Sequence, residues 1–432
     1  MQAELGPILK AAYPQVVATL TRVLGDMDRA MDATQDALVK ALQTWQVEGV
    51  PSQPVAWLVT VGRNRAIDVL RRDAKSASWE TITGDADNVV HLADEHPAER
   101  WSSNLDVAEI NLSELEDDML RLIFTCCNPL LTPPMQITLV LKVVLGFNTN
   151  EIARTLLTSP ATVEKRITRA KQRLKDAEVE YVVPRGEELP ERLQAVLRAI
   201  YLLFNEGYTR ILDGNLMRGT AMAEAIRLGR MTSRLFRHNP EPRSLLALML
   251  LNNARLPGRL DAQGHFVPLH AQDRARWDQA MIREGVALID AVYAARHPPG
   301  AYQIQAAISA IHSQAATAED TDWPQIVALY GKLAEYDASP VVPVNQAAAM
   351  CFVGQTHQAV ELLETLAEAP QLRDYQPYHA ACGYAYALVG SRDKARAAYH
   401  LAIELANSPP QKAYLQARLK DLVDDPAHES GR

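Results

Sequence analysis

Cysteine is scarce in this chain. There are four in 432 residues, Cys126, Cys127, Cys351 and Cys382. None forms a C-x-x-C pair or a zinc-ligand spacing, so a disulfide framework and a zinc finger are excluded and buried thiols are expected. Long apolar runs are missing too. No stretch of about 18 residues is continuously apolar, so no membrane span is expected. The start, MQAELGPILKAAYPQ, has neither the basic opening nor the apolar stretch of a signal peptide. Strand signatures are few, because apolar and polar residues seldom alternate and Ala and Leu outnumber β-branched residues. Phosphate-binding and hydrolase motifs of the P-loop, G-x-G-x-x-G, H-E-x-x-H and G-x-S-x-G types do not occur. No catalytic residue, metal or cofactor is expected, and the chain reads as no enzyme. Asp261, His265, His270 and Asp273 lie close together in DAQGHFVPLHAQD. Their spacing fits no metal motif, and Gly264 and Pro268 suggest a loop in which they pack or turn.

What is present is helical pattern and segregated charge. Nearly half of the chain is apolar and the net charge is −8. Residues 1–75 carry +1, 76–118 carry −11, 119–175 carry +7 and the remainder −5. A length of this order allows about two to four domains, and such asymmetry suggests a polyanion-binding module beside an acidic segment. We read an all-α protein: a first module over 1–75, an acidic linker over 76–118 that is mostly extended, a second module over 119–178, and a C-terminal helical domain over 179–432.

In the first module DRAMDATQDALVKALQTW sets Ala30, Ala33, Ala37, Leu38, Ala41 and Leu42 at helical spacing, with a polar opposite face. After Pro51 and Pro54 a helix over about 55–73 is expected. On a wheel of about 100° per residue its core side holds Val55, Val59, Ala66, Val69 and Leu70, and its polar side holds Trp57, Asn64, Asp68, Arg71 and Arg72. An amide and a carboxylate can read base edges, guanidinium groups can hold phosphate, and an aromatic ring can stack on an unpaired base. Trp57 alone reads as well as a half-buried core ring.

In the second module NTNEIARTLL and SPATVEKRITRAKQRL read as two short helices joined by LTS, a helix-turn-helix. Asn148 or Thr149 is a plausible N-cap for the first. Ser159 caps the second and Pro160 takes its first position. Between Pro160 and Lys175 there are six Lys or Arg and one acid. Val163, Ile167, Ala170 and Leu174 share the core side of its wheel. Thr162, Lys165, Arg166, Arg169 and Arg173 share the other. Such a face suits the DNA major groove, with arginine forking onto guanine and the later residues meeting phosphate.

The C-terminal domain is Ala-rich and ends in a repeat. AAAMCFVGQTHQAVELL aligns with AYALVGSRDKARAAY at an offset of 36, pairing Gly354 with Gly390, Ala359 with Ala395 and Leu363 with Tyr399. Small crossing residues and a glycine turn match tetratricopeptide-like units of about 34 residues. FNEGY at 204–208 is polar amid an apolar run and reads as a turn, or else as a groove.

These residues alone admit two readings: a two-module DNA-binding factor, or a one-component helix-turn-helix transcription regulator with a helical sensor domain. The motifs favour the first. DATQDALVKALQTW resembles region 2.1–2.2, WLVTVGRNRAIDVLRR regions 2.3–2.4, and TNEIARTLLTSPATVEKRITRAKQRL region 4.2 of sigma-70 family transcription initiation factors of the extracytoplasmic function (ECF) type. DDMLRLIFTCCNPLLTP, YLLFNEGY and QDRARWDQAMIREG resemble a subgroup with a long C-terminal tetratricopeptide-like extension. The resemblance implies a cytoplasmic factor with core RNA polymerase and promoter DNA as partners and no membrane partner. It also implies a protein or small-molecule regulator acting through the C-terminal domain. It assigns polymerase docking to Asp32, Gln35, Asp36 and Val39. The −10 element falls to Trp57, Asn64, Asp68, Arg71 and Arg72, and the −35 element to Ser159, Thr162, Lys165, Arg166, Arg169 and Arg173. In such a factor the acidic linker would lie in the polymerase channel as a mimic of RNA.

Overall fold

The computed structural model describes residues 2–82, 112–156, 158–184, 188–210, 219–261, 263–406 and 408–424. Most of the acidic linker, 83–111, lies outside them. Among the described residues the secondary structure is helical, apart from one isolated antiparallel bridge between Leu260 and Phe266. The chain divides into two compact units, 1–202 and 203–432.

The first unit opens with α1 (Gln2–Leu24), α2 (Met27–Glu48) and α3 (Pro54–Ile82). Gly25 turns the chain at a φ of 64°, and Asp26 caps α2 by accepting from the amides of Asp28 and Arg29. The small residues Ala30, Ala33, Ala37 and Ala41 are buried and let α2 and α3 approach closely. Gly62 is the closest point: a Cβ there would lie 2.7 Å from Leu20 Cδ1 and 3.1 Å from the Ala33 carbonyl oxygen. Two expected core positions are instead on the surface, Leu42 (40% exposed) and Val69 (38% exposed). The buried side of α3 is turned toward Leu58, Gly62 and Ile67, alongside Val59 and Ala66. The helix also runs past the expected end near 73, because KSASWETI contains no Gly or Pro to stop it.

The unit continues with α4 (Leu112–Cys126), which takes in the last residues of the acidic segment. Asp118 lies inside it, fully buried between two arginines. Arg22 Nε donates to Asp118 Oδ1 at 2.7 Å and Arg121 Nη1 donates to the same oxygen at 2.6 Å. α5 (Pro133–Leu139) widens into a π-helical turn over Val140–Val144. The wider turn buries Val140, Leu141, Val143 and Val144, more of the chain than one α-helical stripe would cover. Gly146 follows at a φ of 72°, against the Tyr13 ring of α1. α6 (Thr149–Thr155) and α7 (Pro160–Asp176) complete the second module and pack on each other, α7 also on α5. Asn148 and Glu151 form a reciprocal capping box at the start of α6. Beyond α7 the Tyr181 hydroxyl donates to the carbonyls of Ala18 and Asp118, returning the chain to α1 and α4.

α8 (Glu188–Arg210) runs across the division between the units. It contains FNEGY, which is therefore helical and not a turn. The apolar period through Leu193, Val196, Leu197, Ile200, Leu203 and Phe204 carries the helix through one glycine. The second unit holds α9 (Gly219–Leu235), α10 (Pro240–Ala254), α11 (Gln279–Ala294), α12 (Ala301–Gln314), α13 (Trp323–Leu333), α14 (Val341–Phe352), α15 (Thr356–Thr365), α16 (Gln376–Leu388), α17 (Arg392–Glu404) and α18 (Pro409–Asp424). α10 is buried almost all round, from Leu245 to Leu251, and packs against α9, α11 and α12. Glu241 in its first turn accepts from the amides of Tyr302 and Gln303, capping α12. The repeat holds in three dimensions. Gly354 and Gly390 have φ of 76° and 78°, and Ala359, Ala395, Leu363 and Tyr399 are all buried between paired helices α14–α15 and α16–α17. All four cysteines are free and buried, and burial pushes the Cys127 thiol up to about 12.

Candidate nucleic-acid interface

The basic helix α7 is built as its sequence dictates. Ser159 Oγ accepts from the Thr162 amide at 3.1 Å, and Pro160 occupies the first turn. Val163, Ala170 and Leu174 are buried and Ile167 is half-buried. Lys165, Arg169 and Arg173 are exposed with Ser159, while Thr162 and Arg166 are half-buried. Arg173 Nη1 also lies 3.8 Å from Met135 Sδ, so its guanidinium reaches α5. The face is cationic, and Lys165, Arg169 and Arg173 on it are open to solvent. Lys171, beside it, pairs with Asp28 in the first turn of α2. Sequence reasoning did not assign Lys171; the wheel sets it between the two faces.

Of the residues expected to dock polymerase or read the −10 element, Asp32, Asp36, Val39, Asn64 and Asp68 gather in the cleft between α2 and α3. A groove of about 460 Å³ is lined by Asp36, Val39, Lys40, Gln43, Val61, Asn64, Arg65 and Asp68. A smaller hollow of about 90 Å³ next to it includes Asp32 and Asp36. Two groups that the sequence kept apart, Asp36 with Val39 and Asn64 with Asp68, thus form the two walls of one groove. Gln35 and Arg71 are exposed outside it. Trp57 is half-buried, its ring 5.3 Å from the buried Trp45 ring in an edge-on contact. The Arg72 side chain lies outside the described residues.

Arg65 is a groove residue that the sequence did not single out. Its Nε donates to Asp36 Oδ2 at 2.9 Å, closing the groove across the two helices, with both side chains about half exposed. Val47 is another. It is 85% exposed although apolar, and on a wheel of about 100° per residue it falls within about 20° of Asp36. Val39, in the groove, and Leu42 are likewise exposed apolar residues of α2. The signal was available: Val39 and Val47 stand on the side of α2 that should have been polar throughout.

An exposed cationic recognition helix, capped as a helix-turn-helix, together with a charged groove on a separate helical module, defines a two-module DNA-binding transcription factor. The matching family models give the class. Residues 8–76 match Sigma-70 region 2 and residues 122–174 match Sigma-70, region 4. Residues 192–293 match a family of unknown function, DUF6596. The chain belongs to the sigma-70 family, as a factor of the ECF type with a helical C-terminal extension. It is 39% identical over 425 residues to Uncharacterized protein R00370 of Rhizobium meliloti (strain 1021), covering 97% of this chain and 96% of that one. Over 85 residues it is 34% identical to ECF RNA polymerase sigma factor SigL of Mycobacterium tuberculosis (strain ATCC 25618 / H37Rv), which is 18% of this chain and 46% of that one. Among the described residues no helix is long and apolar enough to cross a membrane.

Proposed function

We propose that this sigma factor brings core RNA polymerase to promoters whose −35 element is read by α7 and whose −10 element is read from α3, and that residues 179–432 control that activity. In this reading Lys165 and Arg166 enter the major groove, Arg169 and Arg173 hold phosphate, and Ser159 and Thr162 lie at the leading end of the helix. Asn64 and Asp68 read bases, with Arg71 and Arg72 on the backbone and Trp57 at the strand-opening edge. Asp32, Gln35 and Asp36 dock the polymerase through polar contacts, and the exposed Val39 beside them adds apolar area.

The observation that carries the reading is the exposed face of α7, with Lys165, Arg169 and Arg173 uncovered, on a helix matched to sigma-70 region 4. A one-component regulator would need such a helix but would have no use for a second module matched to region 2. In vitro run-off transcription with purified core polymerase over a promoter library tests it. Start sites that appear only with the full chain are expected, and identical start sites with and without it would sink the proposal. Truncation after residue 178 should change the output at those promoters, upward or downward. Unchanged output would remove the extension from their control.

A further inference from the structure

The stretch from Gly219 to Arg243, over α9 and the first turn of α10, shows charge of one sign to solvent. It holds five Arg, two Glu and neither Lys nor Asp, a net of +3 within a C-terminal part that is acidic as a whole. Both acids face inward. Glu224 is 5% exposed and pairs with Arg227, and Glu241 is 9% exposed and caps α12 through the amides of Tyr302 and Gln303. No acid of this stretch is therefore at the surface, whereas Arg234, Arg237 and His238 are exposed and Arg230 and Arg243 are half-buried.

The arginines are also aligned. On a wheel of about 100° per residue Arg227, Arg230 and Arg234 fall within about 60° of one another. Arg237 follows three residues on, just past the end of the helix. At about 1.5 Å per residue the row is about 15 Å long. Arg230 Nη2 forks onto both carboxylate oxygens of Glu284 in α11, at 2.7 and 3.0 Å. Arg237 Nε donates to the Arg234 carbonyl at 3.1 Å, and Arg243 Nη2 to the Arg237 carbonyl at 3.4 Å. Guanidinium groups thus offset the partial negative charge at this helix end. Ion pairing and capping give Arg227, Arg230, Arg237 and Arg243 structural work. They give none to Arg234, whose side chain makes no hydrogen bond or ion pair among the described residues. Nor do they explain why no exposed acid accompanies the row, since a solvated helix face ordinarily mixes both signs.

We propose that this arginine row is a third nucleic-acid contact of the chain, which holds the phosphate backbone of duplex DNA outside the −10 and −35 elements and without regard to sequence. Charge complementarity selects a polyanion, and duplex DNA is the polyanion that a factor of this family works upon. Arginine suits the task, because its planar fork matches the oxygens of a phosphate and never loses its charge. A row about 15 Å long lies along about four base pairs of duplex, at about 3.4 Å each. Contacts of this kind add affinity and position the protein but read no base. They would give the part of the chain matched to a family of unknown function a physical role of its own.

The test titrates the full chain into a fluorescein-labelled duplex that contains no promoter, with anisotropy read over a series of salt concentrations. The background variant R169A/R173A, which removes the phosphate contacts of α7, should still bind in a salt-dependent way. Adding R234Q/R237Q should lower the slope of log affinity against log salt by about two and weaken binding at least about tenfold in low salt. R234K/R237K in the same background should keep the slope, because it keeps the charges. Arg237 also caps the helix, so Arg234→Gln alone covers the case in which the double variant does not fold; it should lower the slope by about one. An unchanged slope in the folded variants overturns the proposal, as does absence of binding by the background variant. Tighter binding of a single-stranded RNA of equal length through the same arginines overturns it in favour of RNA. Impaired assembly with core polymerase while duplex binding is unchanged overturns it in favour of a protein surface. The titration needs neither promoter nor start site, so its failure leaves the run-off result standing, and a failed run-off leaves the titration.

Discussion

Arg22 and Asp118, 96 residues apart in sequence, are joined by a 2.7 Å ion pair whose carboxylate is 1% exposed. The pair ties the first helix of the chain to α4, across the acidic segment. Arg121 shares the same oxygen, and the backbone carbonyl of Asp118 accepts from Tyr181. The two sigma modules therefore pack within the first unit around one buried acid.

Asp118→Ala leaves two guanidinium groups facing each other with their common partner gone. Loss of a buried ionic partner costs about 3–5 kcal/mol, and the partial exposure of both arginines brings this to about 2–3 kcal/mol. Denaturant unfolding of the full chain should show the lower midpoint in the transition of the first unit. Arg22→Ala should cost about 1 kcal/mol, since Arg121 still pairs the acid. Equal midpoints for Asp118→Ala and the unaltered chain would show that the buried acid is not what joins the modules.

Gly62→Ala tests the approach of α3 to α1 and α2. A methyl group there meets Leu20 Cδ1 at 2.7 Å and the Ala33 carbonyl oxygen at 3.1 Å. The leucine can rotate, but the helix backbone cannot yield easily. The helix-propensity gain of about 1 kcal/mol is outweighed, and a net loss of about 1–2 kcal/mol is expected in thermal or denaturant unfolding. A stabilised variant would mean that the two helices are further apart than described.

Arg169→Ala should weaken binding to promoter DNA and lower the slope of log affinity against log salt by about one, the signature of one phosphate contact. If the slope holds and affinity falls at one base position only, Arg169 reads a base instead. Unchanged binding would move the DNA face elsewhere on α7. In parallel, Asp36→Arg should impair assembly with core polymerase while the fold persists, because the exposed Arg65–Asp36 pair contributes at most about 1 kcal/mol.

His312 gives the second unit a pH dependence. Burial first, and the Arg255 and Arg274 charges after it, hold this imidazole down to about 3. The unfolded chain takes up the proton near the ordinary 6.5, so between those values the unfolded state binds more protons. Stability is complete above about 6.5 and falls as the pH drops through that window, by up to about 1.4 kcal/mol per unit. His312→Gln should flatten the profile of unfolding free energy between about pH 4 and pH 7. A variant as steep as the parent would assign the acid sensitivity to other groups.

Local chemistry was legible in the sequence wherever a few neighbouring residues decide the outcome. Ser159 with Pro160 placed the start of α7, Asn148 or Thr149 bracketed that of α6, and the offset of 36 located the paired helices of the repeat. The single Gly in FNEGY misled because a turn signal was weighed without the apolar period on either side of it. The exposure of Leu42 and Val69 was hidden because a wheel orders residues around a helix but does not say which neighbour each side meets. The π turn at Val140–Val144 has no sequence mark beyond an apolar run too dense for one stripe. For the candidate site, each wall of the groove was legible on its own helix. Their meeting at Asp36 and Arg65 depends on how α2 packs on α3, and no spacing within either helix encodes it. Asp118 did leave a trace, since it shares a helix side with Leu122 and Thr125.

The 36-residue step between Gly354 and Gly390 carries the buried Ala347, Ala349, Ala359 and Leu363 onto the buried Gly383, Ala385, Ala395 and Tyr399. A stretch organised in this way can gain or lose a complete step and still match up at the seam, whereas an insertion of any other length would throw the following helices out of phase. Natural relatives that differ in size over this part of the chain should therefore differ by whole multiples of the step, and the same arithmetic gives a designer a safe place to lengthen the molecule.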